Sequence, residues 1–293
     1  MTRLYLPMPG NETMAETLAA QAGDALGALE TRRFPDEECY VRLLNDVSGM
    51  DVDIVCTLAR PDPQFLSLIY AAETARELGA KSVSLIAPYL AYMRQDKRFK
   101  QGEAISSVHF ARLISQAFDS LVTVDPHLHR RRDLGEIFSI PTRVEHAAPL
   151  LADWIRDNVA NPLVIGPDAE SEQWVAAVAK RAGAPHIVSN KTRLGDRSVV
   201  IEIPDFAQWR DRRPVLIDDI ASSGRTMIET ARKLAESGMQ KPYCLAVHAL
   251  FAESSFAELS SLAEQVVSTD CVPHASNAIS VAPLLWGPAQ DGG

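Results

Sequence analysis

Short runs of β-branched and aliphatic residues alternate with longer amphipathic stretches, and no other feature limits the fold of this chain as much. Val52–Leu58, Ser82–Ala87, Ser120–Val124, Leu163–Ile165, Val199–Ile203, Val215–Ile217 and Tyr243–Ala249 have the length and composition of strands. Between them, Phe65–Leu78, Ile105–Gln116, Glu170–Arg181 and Thr226–Ser237 carry apolar residues at helical spacing. Strand, helix and strand repeated in this way build parallel sheets covered by helices on both faces. At 293 residues the chain exceeds the usual size of one core, so two α/β domains are expected. The boundary falls near Pro141–Glu145, because the apolar helical pattern Ala147–Ile155 opens a new unit there, which gives domains 1–145 and 146–293.

Composition narrows the class. Lysine and arginine total 29 against 38 aspartates and glutamates, and a net charge of −9 argues against a general nucleic-acid binder. No apolar run approaches the roughly 18 residues of a membrane span, and Met1–Gly10 has no signal-peptide pattern, so a cytoplasmic location is expected. Cys39, Cys56, Cys244 and Cys271 are scattered and read as reduced, mostly buried thiols. On this acidic background, basic residues gather in Arg94–Lys100 and Arg130–Arg132. Such islands suit small anionic ligands held at defined points; for Arg130–Arg132 a solvated charged loop is an equal reading.

The segment Leu216–Thr226 reads as a strand, a paired-acid turn, a small-residue loop and a helix start. A helix N-terminus leaves backbone N–H groups without intrahelical partners, and a phosphate is electrostatically favoured there. Ser222, Ser223 and Thr226 add hydroxyl donors, Gly224 permits close approach or a positive φ, and Asp218 and Asp219 can accept hydrogen bonds from vicinal sugar hydroxyls. The bland alternative is an ordinary helix capped by Ser222 or Ser223. An acidic turn also follows the strand at Asp125, a faint echo that hints at duplicated domains.

This loop resembles the phosphoribosyl-binding loop of the type I phosphoribosyltransferase fold. The rest of the chain, from about Leu4 to Leu285, narrows the resemblance to the ribose-phosphate pyrophosphokinase family. The resemblance implies two tandem phosphoribosyltransferase-like domains, each a mainly parallel sheet flanked by helices. Phe34-Pro35-Asp36-Glu37-Glu38 is similar to that family's adenine-binding loop, with Glu37 where glycine is usual; on the residues alone it reads as a solvated turn. Arg94-Gln95-Asp96 resembles an ATP-contact segment, in which Arg94 would fork onto phosphate. Asp125-Pro126-His127 resembles an active-site segment that makes His127 a ligand of the Mg-nucleotide and Asp125 its orienting partner or the holder of a metal-bound water. His129 stays undecided.

Gly166-Pro167-Asp168 aligns with a pyrophosphate loop that usually reads Ser-Pro-Asp, and Asp168 matches the acidic metal contact. Glu170 and Ser171 stand where two glycines are expected. Lys191-Thr192-Arg193 resembles the catalytic Lys-x-Arg; alone, such a pair reads as surface charge. In the ribose loop, Ser222, Ser223, Gly224 and Arg225 replace an acid, a threonine and two glycines, so the chain looks like a divergent member. The implied reaction moves pyrophosphate from Mg-ATP to ribose 5-phosphate, with Mg²⁺ as cofactor. Asp36, Glu37, Glu38, Arg94 and Gln95 would bind ATP, while Arg193, Asp218, Asp219 and Ser222 through Thr226 would bind ribose 5-phosphate. A homo-oligomer based on a dimer is implied, with Asp36–Glu38 serving a neighbouring subunit. A phosphoribosyltransferase and a non-catalytic regulatory homologue stay open as alternatives.

Overall fold

The computed structural model describes residues 3–128, 130–167, 171–188, 190–193, 199–202 and 207–286. The chain divides into two compact units, one of residues 1–145 with the segment from Val281 onward, the other of residues 146–280. In the first unit β1 (Arg3–Pro7), α1 (Glu12–Ala22), β2 (Ala25–Leu26), β3 (Leu29–Arg33), β4 (Cys39–Leu43), β5 (Asp51–Val55), α2 (Asp62–Glu77), β6 (Ser82–Ala87), α3 (Ser106–Ala117), β7 (Ser120–Val124) and β8 (Thr142–Glu145) follow in order. A parallel sheet runs β2-β1-β5-β6-β7-β8, and β3 with β4 forms a separate antiparallel hairpin.

The second unit begins with α4 (Ala148–Asn158), β9 (Pro162–Gly166), α5 (Glu172–Ala182), β10 (His186–Val188), β11 (Asn190–Arg193) and β12 (Val199–Glu202). It continues with β13 (Arg213–Ala221), α6 (Arg225–Glu236), β14 (Tyr243–Ala249), α7 (Glu253–Leu262), β15 (Gln265–Thr269) and β16 (Asn277–Ile279). Its parallel sheet runs β10-β9-β13-β14-β15-β16, the same pattern as in the first unit. A last short helix, α8 (Ala282–Leu285), packs against α1.

Apolar patterning explains the layers. In β6 and β7 the side chains of Leu85, Ile86, Leu121 and Val122 are all at most 1% exposed, because helices cover both faces of the sheet. In the second unit Leu163, Leu216, Met227, Leu234 and Leu259 join strands and helices in one cluster. Each such side chain contributes about 1.5–3 kcal/mol through burial. Cys56, Cys244 and Cys271 are buried, Cys39 is half-buried, and all four cysteines are free.

Two expectations need correction. Val199–Glu202, β12, pairs antiparallel with β11 as a two-stranded ribbon outside the parallel sheet, and Ile203 lies outside the described residues. Five residues separate Arg193 from Val199, too few for the crossover that parallel pairing needs. The segment from Val281, assigned by sequence to the second domain, clusters with the first unit. Val281, Ala282 and Leu285 are fully buried, and Arg143 of β8 donates to the carbonyls of Leu285 and Trp286 at 3.0 and 3.1 Å.

One buried ion pair joins β1 to β5. The Asp53 side chain is 3% exposed, with Arg3 as its partner. Burial pushes the Asp53 carboxyl up to about 6, against the pull of Arg3. The folded chain therefore holds this proton more tightly than the unfolded chain, whose carboxyl titrates near ~4. The stability this provides is complete below that lower value and is lost as pH rises through about 6. Asp53→Asn cannot titrate, so urea unfolding should show it gaining on the wild type by about 2–3 kcal/mol from pH ~4 to pH ~8. A stability difference that stays flat over that range would contradict this account.

Candidate active site

Asp218 and Asp219 lie near the carboxyl end of β13, in the middle of the second sheet, and both are part-exposed. Each carboxylate accepts from the next backbone N–H: Asp219 N donates to Asp218 Oδ1 at 2.9 Å, and Ile220 N to Asp219 Oδ1 at 2.8 Å. These local bonds hold the two carboxyl groups beside the loop that follows. That loop enters α6 through Gly224, which has φ 63°, a left-handed conformation that side chains adopt at a cost. Ser222 and Ser223 do not cap the helix, for α6 has no side-chain cap bond at its N-terminus. Among the described residues, no capping side chain accepts from its first-turn amides, as an anion site requires. Arg225, at the first helical position, is exposed, and its side chain makes no hydrogen bond or ion pair among the described residues.

Neighbouring backbone supports this loop. The N–H of Leu250 donates to Ala221 O at 2.8 Å and that of Ala252 to Ser222 O at 3.3 Å, so the segment after β14 pins the loop's outgoing carbonyls. A Cβ on Gly224 would lie 3.9 Å from the Phe251 ring, which packs in turn on Phe256 and His274. Sequence reasoning passed over Leu250–Ala252, because an apolar pair after a strand carries no signal of its own.

The adjacent β9 ends at Gly166, with Pro167 just after it, so the β9 and β13 loops leave neighbouring strands at the same edge. They flank the point where chain order reverses, with β10 on one side and β13 on the other, which is where parallel sheets bind ligands. A side chain at Gly166 would place its Cβ 2.5 Å from Val175 Cγ2, so glycine lets α5 close onto β9 where serine is usual. Asp168 and Glu170 lie outside the described residues. Lys191 and Arg193 are on β11, opposite Ile201 and Val199 in the ribbon.

In the first unit, Arg94 and Gln95 follow β6, and Asp125 and His127 follow the neighbouring strand β7. Asp125 has φ 35° and donates its N–H to Glu145 O at 2.9 Å, which prolongs the pairing of β7 with β8 and fixes the turn before His127. His127 is part-exposed. Arg94 is exposed and free of ion pairs among the described residues, whereas the Gln95 side chain donates to the carbonyls of Lys97 and Ala104 at 3.4 and 3.3 Å. Among the described residues, no group of three or more His, Cys, Asp or Glu gathers as a metal cage.

Asp36, Glu37 and Glu38 are exposed at the tip of the β3–β4 hairpin. The turn closes through Glu37 N to Phe34 O at 2.9 Å and Phe34 N to Glu38 O at 2.8 Å, and Glu37 has φ 70°. That conformation explains why glycine is the more natural occupant. Arg33 donates to Glu37 O at 2.7 Å and to Pro63 O at 2.5 Å, while Tyr92 donates to Asp62. The hairpin tip and the Arg94 segment are therefore both fastened to the start of α2. The Asp62 hydrogen bond raises the Tyr92 hydroxyl to about 12.

Known proteins agree with this layout. Residues 5–117 match the model for the N-terminal domain of ribose phosphate pyrophosphokinase, and residues 133–279 match the phosphoribosyl transferase domain. A ribose-phosphate pyrophosphokinase of Thermoplasma acidophilum is 32% identical over 278 residues, 95% of either chain. One from Methanopyrus kandleri is 34% identical over 274 residues, 92% of either chain. In fold, the chain is similar to phosphoribosylpyrophosphate synthetase from Mycobacterium smegmatis, with TM-score 0.84, 24% identity and coverage of 97% and 96%.

The two left-handed positions give a paired expectation for stability. Glu37→Gly should raise it by about 1 kcal/mol, and Gly224→Ala should lower it by a similar amount. Thermal denaturation of the two variants checks both; shifts of the same sign would contradict the assigned backbone.

Proposed function

This chain belongs to the ribose-phosphate pyrophosphokinase family, and on that premise we propose that it moves the terminal pyrophosphate of Mg-ATP to the 1-hydroxyl of ribose 5-phosphate. The ribose oxygen bonds to the β-phosphorus, the link from that phosphorus to the α,β-bridging oxygen breaks, and AMP leaves; the hydroxyl proton passes to solvent. The observation that supports this reading most is the uncapped start of α6 directly behind Asp218 and Asp219. A sugar phosphate suits both ends of that loop at once. The 5-phosphate lies at the amides and hydroxyls of Ser222, Ser223, Gly224, Arg225 and Thr226, while the two carboxylates orient ribose hydroxyls. A phosphoribosyltransferase has no use for the first unit, which matches a domain of the pyrophosphokinases.

Phosphoryl transfer asks a protein mainly for in-line positioning and charge neutralisation. Arg94 receives phosphate oxygens, Asp36 and Glu38 accept from the adenine amino group, and Glu37 and Gln95 complete the nucleotide site. Lys191 and Arg193 hold the transferred group where charge develops, with Arg193 also reaching ribose 5-phosphate. A hard cation such as Mg²⁺ keeps several waters and takes one or two protein groups beside substrate phosphates. The part-exposed Asp125 and His127 on a fixed turn suit that modest demand; the resemblance adds Asp168, which lies outside the described residues. When bound there, Mg²⁺ neutralises phosphate charge. The reading also includes a cytoplasmic enzyme, for which no described helix is long and apolar enough to cross a membrane. It further includes a dimer-based homo-oligomer in which Asp36–Glu38 serve a neighbouring subunit's nucleotide.

A coupled assay for AMP that appears only with both ATP and ribose 5-phosphate tests the activity. No ribose 5-phosphate-dependent AMP would sink it and favour a regulatory homologue. Within an active enzyme, Lys191→Ala should lower kcat by about two to four orders of magnitude with KM nearly unchanged. A steep rise in KM with kcat intact would make Lys191 a binding residue instead. Asp218→Asn should raise KM for ribose 5-phosphate at least about tenfold more than KM for ATP, since its partner is a sugar hydroxyl. Equal losses for both substrates would remove that assignment.

A further inference from the structure

The Arg130–Arg132 run, ambiguous in sequence, has a definite place in the first unit. One guanidinium nitrogen of Arg130 donates to both carboxylate oxygens of Asp96, at 3.0 and 3.1 Å. The Asp96 side chain is only 6% exposed, whereas that of Arg130 is 49% exposed. Arg131, 16% exposed, reaches Asp96 O at 3.4 Å and Ser107 Oγ at 3.5 Å. Ser107 in turn donates to Gln95 O from its backbone N–H at 3.3 Å and from its hydroxyl at 3.1 Å. The Arg94–Asp96 segment is thus held from the start of α3 on one side and from the segment after His127 on the other.

Resting on the nucleotide reading above, we infer that Arg130 is a positioning residue for the ATP site, acting through Asp96 to hold Arg94 and Gln95 in register with His127. A carboxylate so far removed from water requires a counter-charge, and removal of one partner from such a pair leaves the other buried and uncompensated. Asp96 adjoins Gln95 and lies two residues from Arg94, so any rearrangement that returns it to water displaces both. Arg130 lies three residues beyond His127, so the same ion pair joins the loops after β6 and β7. One of its guanidinium nitrogens, Nη1, is committed to Asp96. Arg94 carries no such commitment among the described residues, and this divides the basic clusters into one cation facing ligand and one that supports it.

The test measures binding of a non-hydrolysable Mg-ATP analogue, together with steady-state KM for ATP and ribose 5-phosphate, in full-length protein. Arg130→Ala should weaken the nucleotide about tenfold to a hundredfold and change KM for ribose 5-phosphate less than about twofold. Arg130→Lys should recover most of the loss. Asp96→Asn combined with Arg130→Ala should bind nucleotide better than Arg130→Ala alone, because no buried charge is then left unpaired. Arg130→Gln provides the same comparison if the alanine variant does not fold. Wild-type nucleotide affinity in these variants, or equal losses for both substrates with no recovery by lysine, overturns the inference and leaves the activity standing. Failure of the wild type itself to bind the analogue overturns the nucleotide reading, and the inference with it.

Discussion

In a parallel sheet each strand returns through a crossover, so the carboxyl ends of all strands share one edge and most are followed there by a loop and a helix N-terminus. Both six-stranded sheets obey this rule, with the same order of strands about a central reversal. The consequence is concentration. Asp218, Asp219, Gly166 and the start of α6 lie at that edge of the second sheet, and Arg94, Gln95, Asp125 and His127 lie at that edge of the first. Backbone N–H groups and part-exposed carboxylates at such an edge recognise phosphate and sugar without any specialised scaffold. The β3–β4 hairpin and the β11–β12 ribbon stand outside the sheets and carry the two remaining groups of candidate residues.

Arginine serves two purposes in this acidic chain. Arg3, Arg33 and Arg130 are committed inward, to Asp53, to backbone carbonyls of the hairpin turn and α2, and to Asp96. Arg94 and Arg225 are exposed and make no ion pair among the described residues. An arginine fork is always charged and carries five donors, so its partners decide whether it builds the site or meets the ligand. A basic cluster in sequence does not reveal that division. It depends on which carboxylates the fold leaves buried.

Legibility followed local signals. Ser82–Ala87, Ser120–Val124 and Tyr243–Ala249 were readable to the residue because buried parallel strands are continuous apolar runs. β1 and β4 hold apolar runs of only three residues, Leu4–Leu6 and Cys39–Val41, and Leu29–Arg33 is polar, so all three strands were missed. The pairing of β12 with Asn190–Arg193 carries no sequence signal, since that extended segment has no apolar pattern. The pair Asp218–Asp219 was legible as a feature but not as part of a strand: β13 continues through both acids to Ala221, where the sequence suggests a turn. Glu37 was not, for its left-handed φ of 70° comes from the closure of the hairpin turn and leaves no trace in residue type. The support given by Leu250–Ala252 and by Arg130 depends on tertiary neighbours, which spacing does not encode.

The central claim is that one reaction uses the nucleotide loops of the first unit and the sugar-phosphate loop of the second. Phosphorus NMR of the full-length enzyme with Mg-ATP and ribose 5-phosphate tests it most directly, because the fate of each phosphorus is visible. The account predicts that the β- and γ-phosphorus leave together, giving AMP and a 1-pyrophosphoryl ribose 5-phosphate in equal amounts. Appearance of ADP with a singly phosphorylated C1, or of free pyrophosphate without a new sugar product, would contradict it.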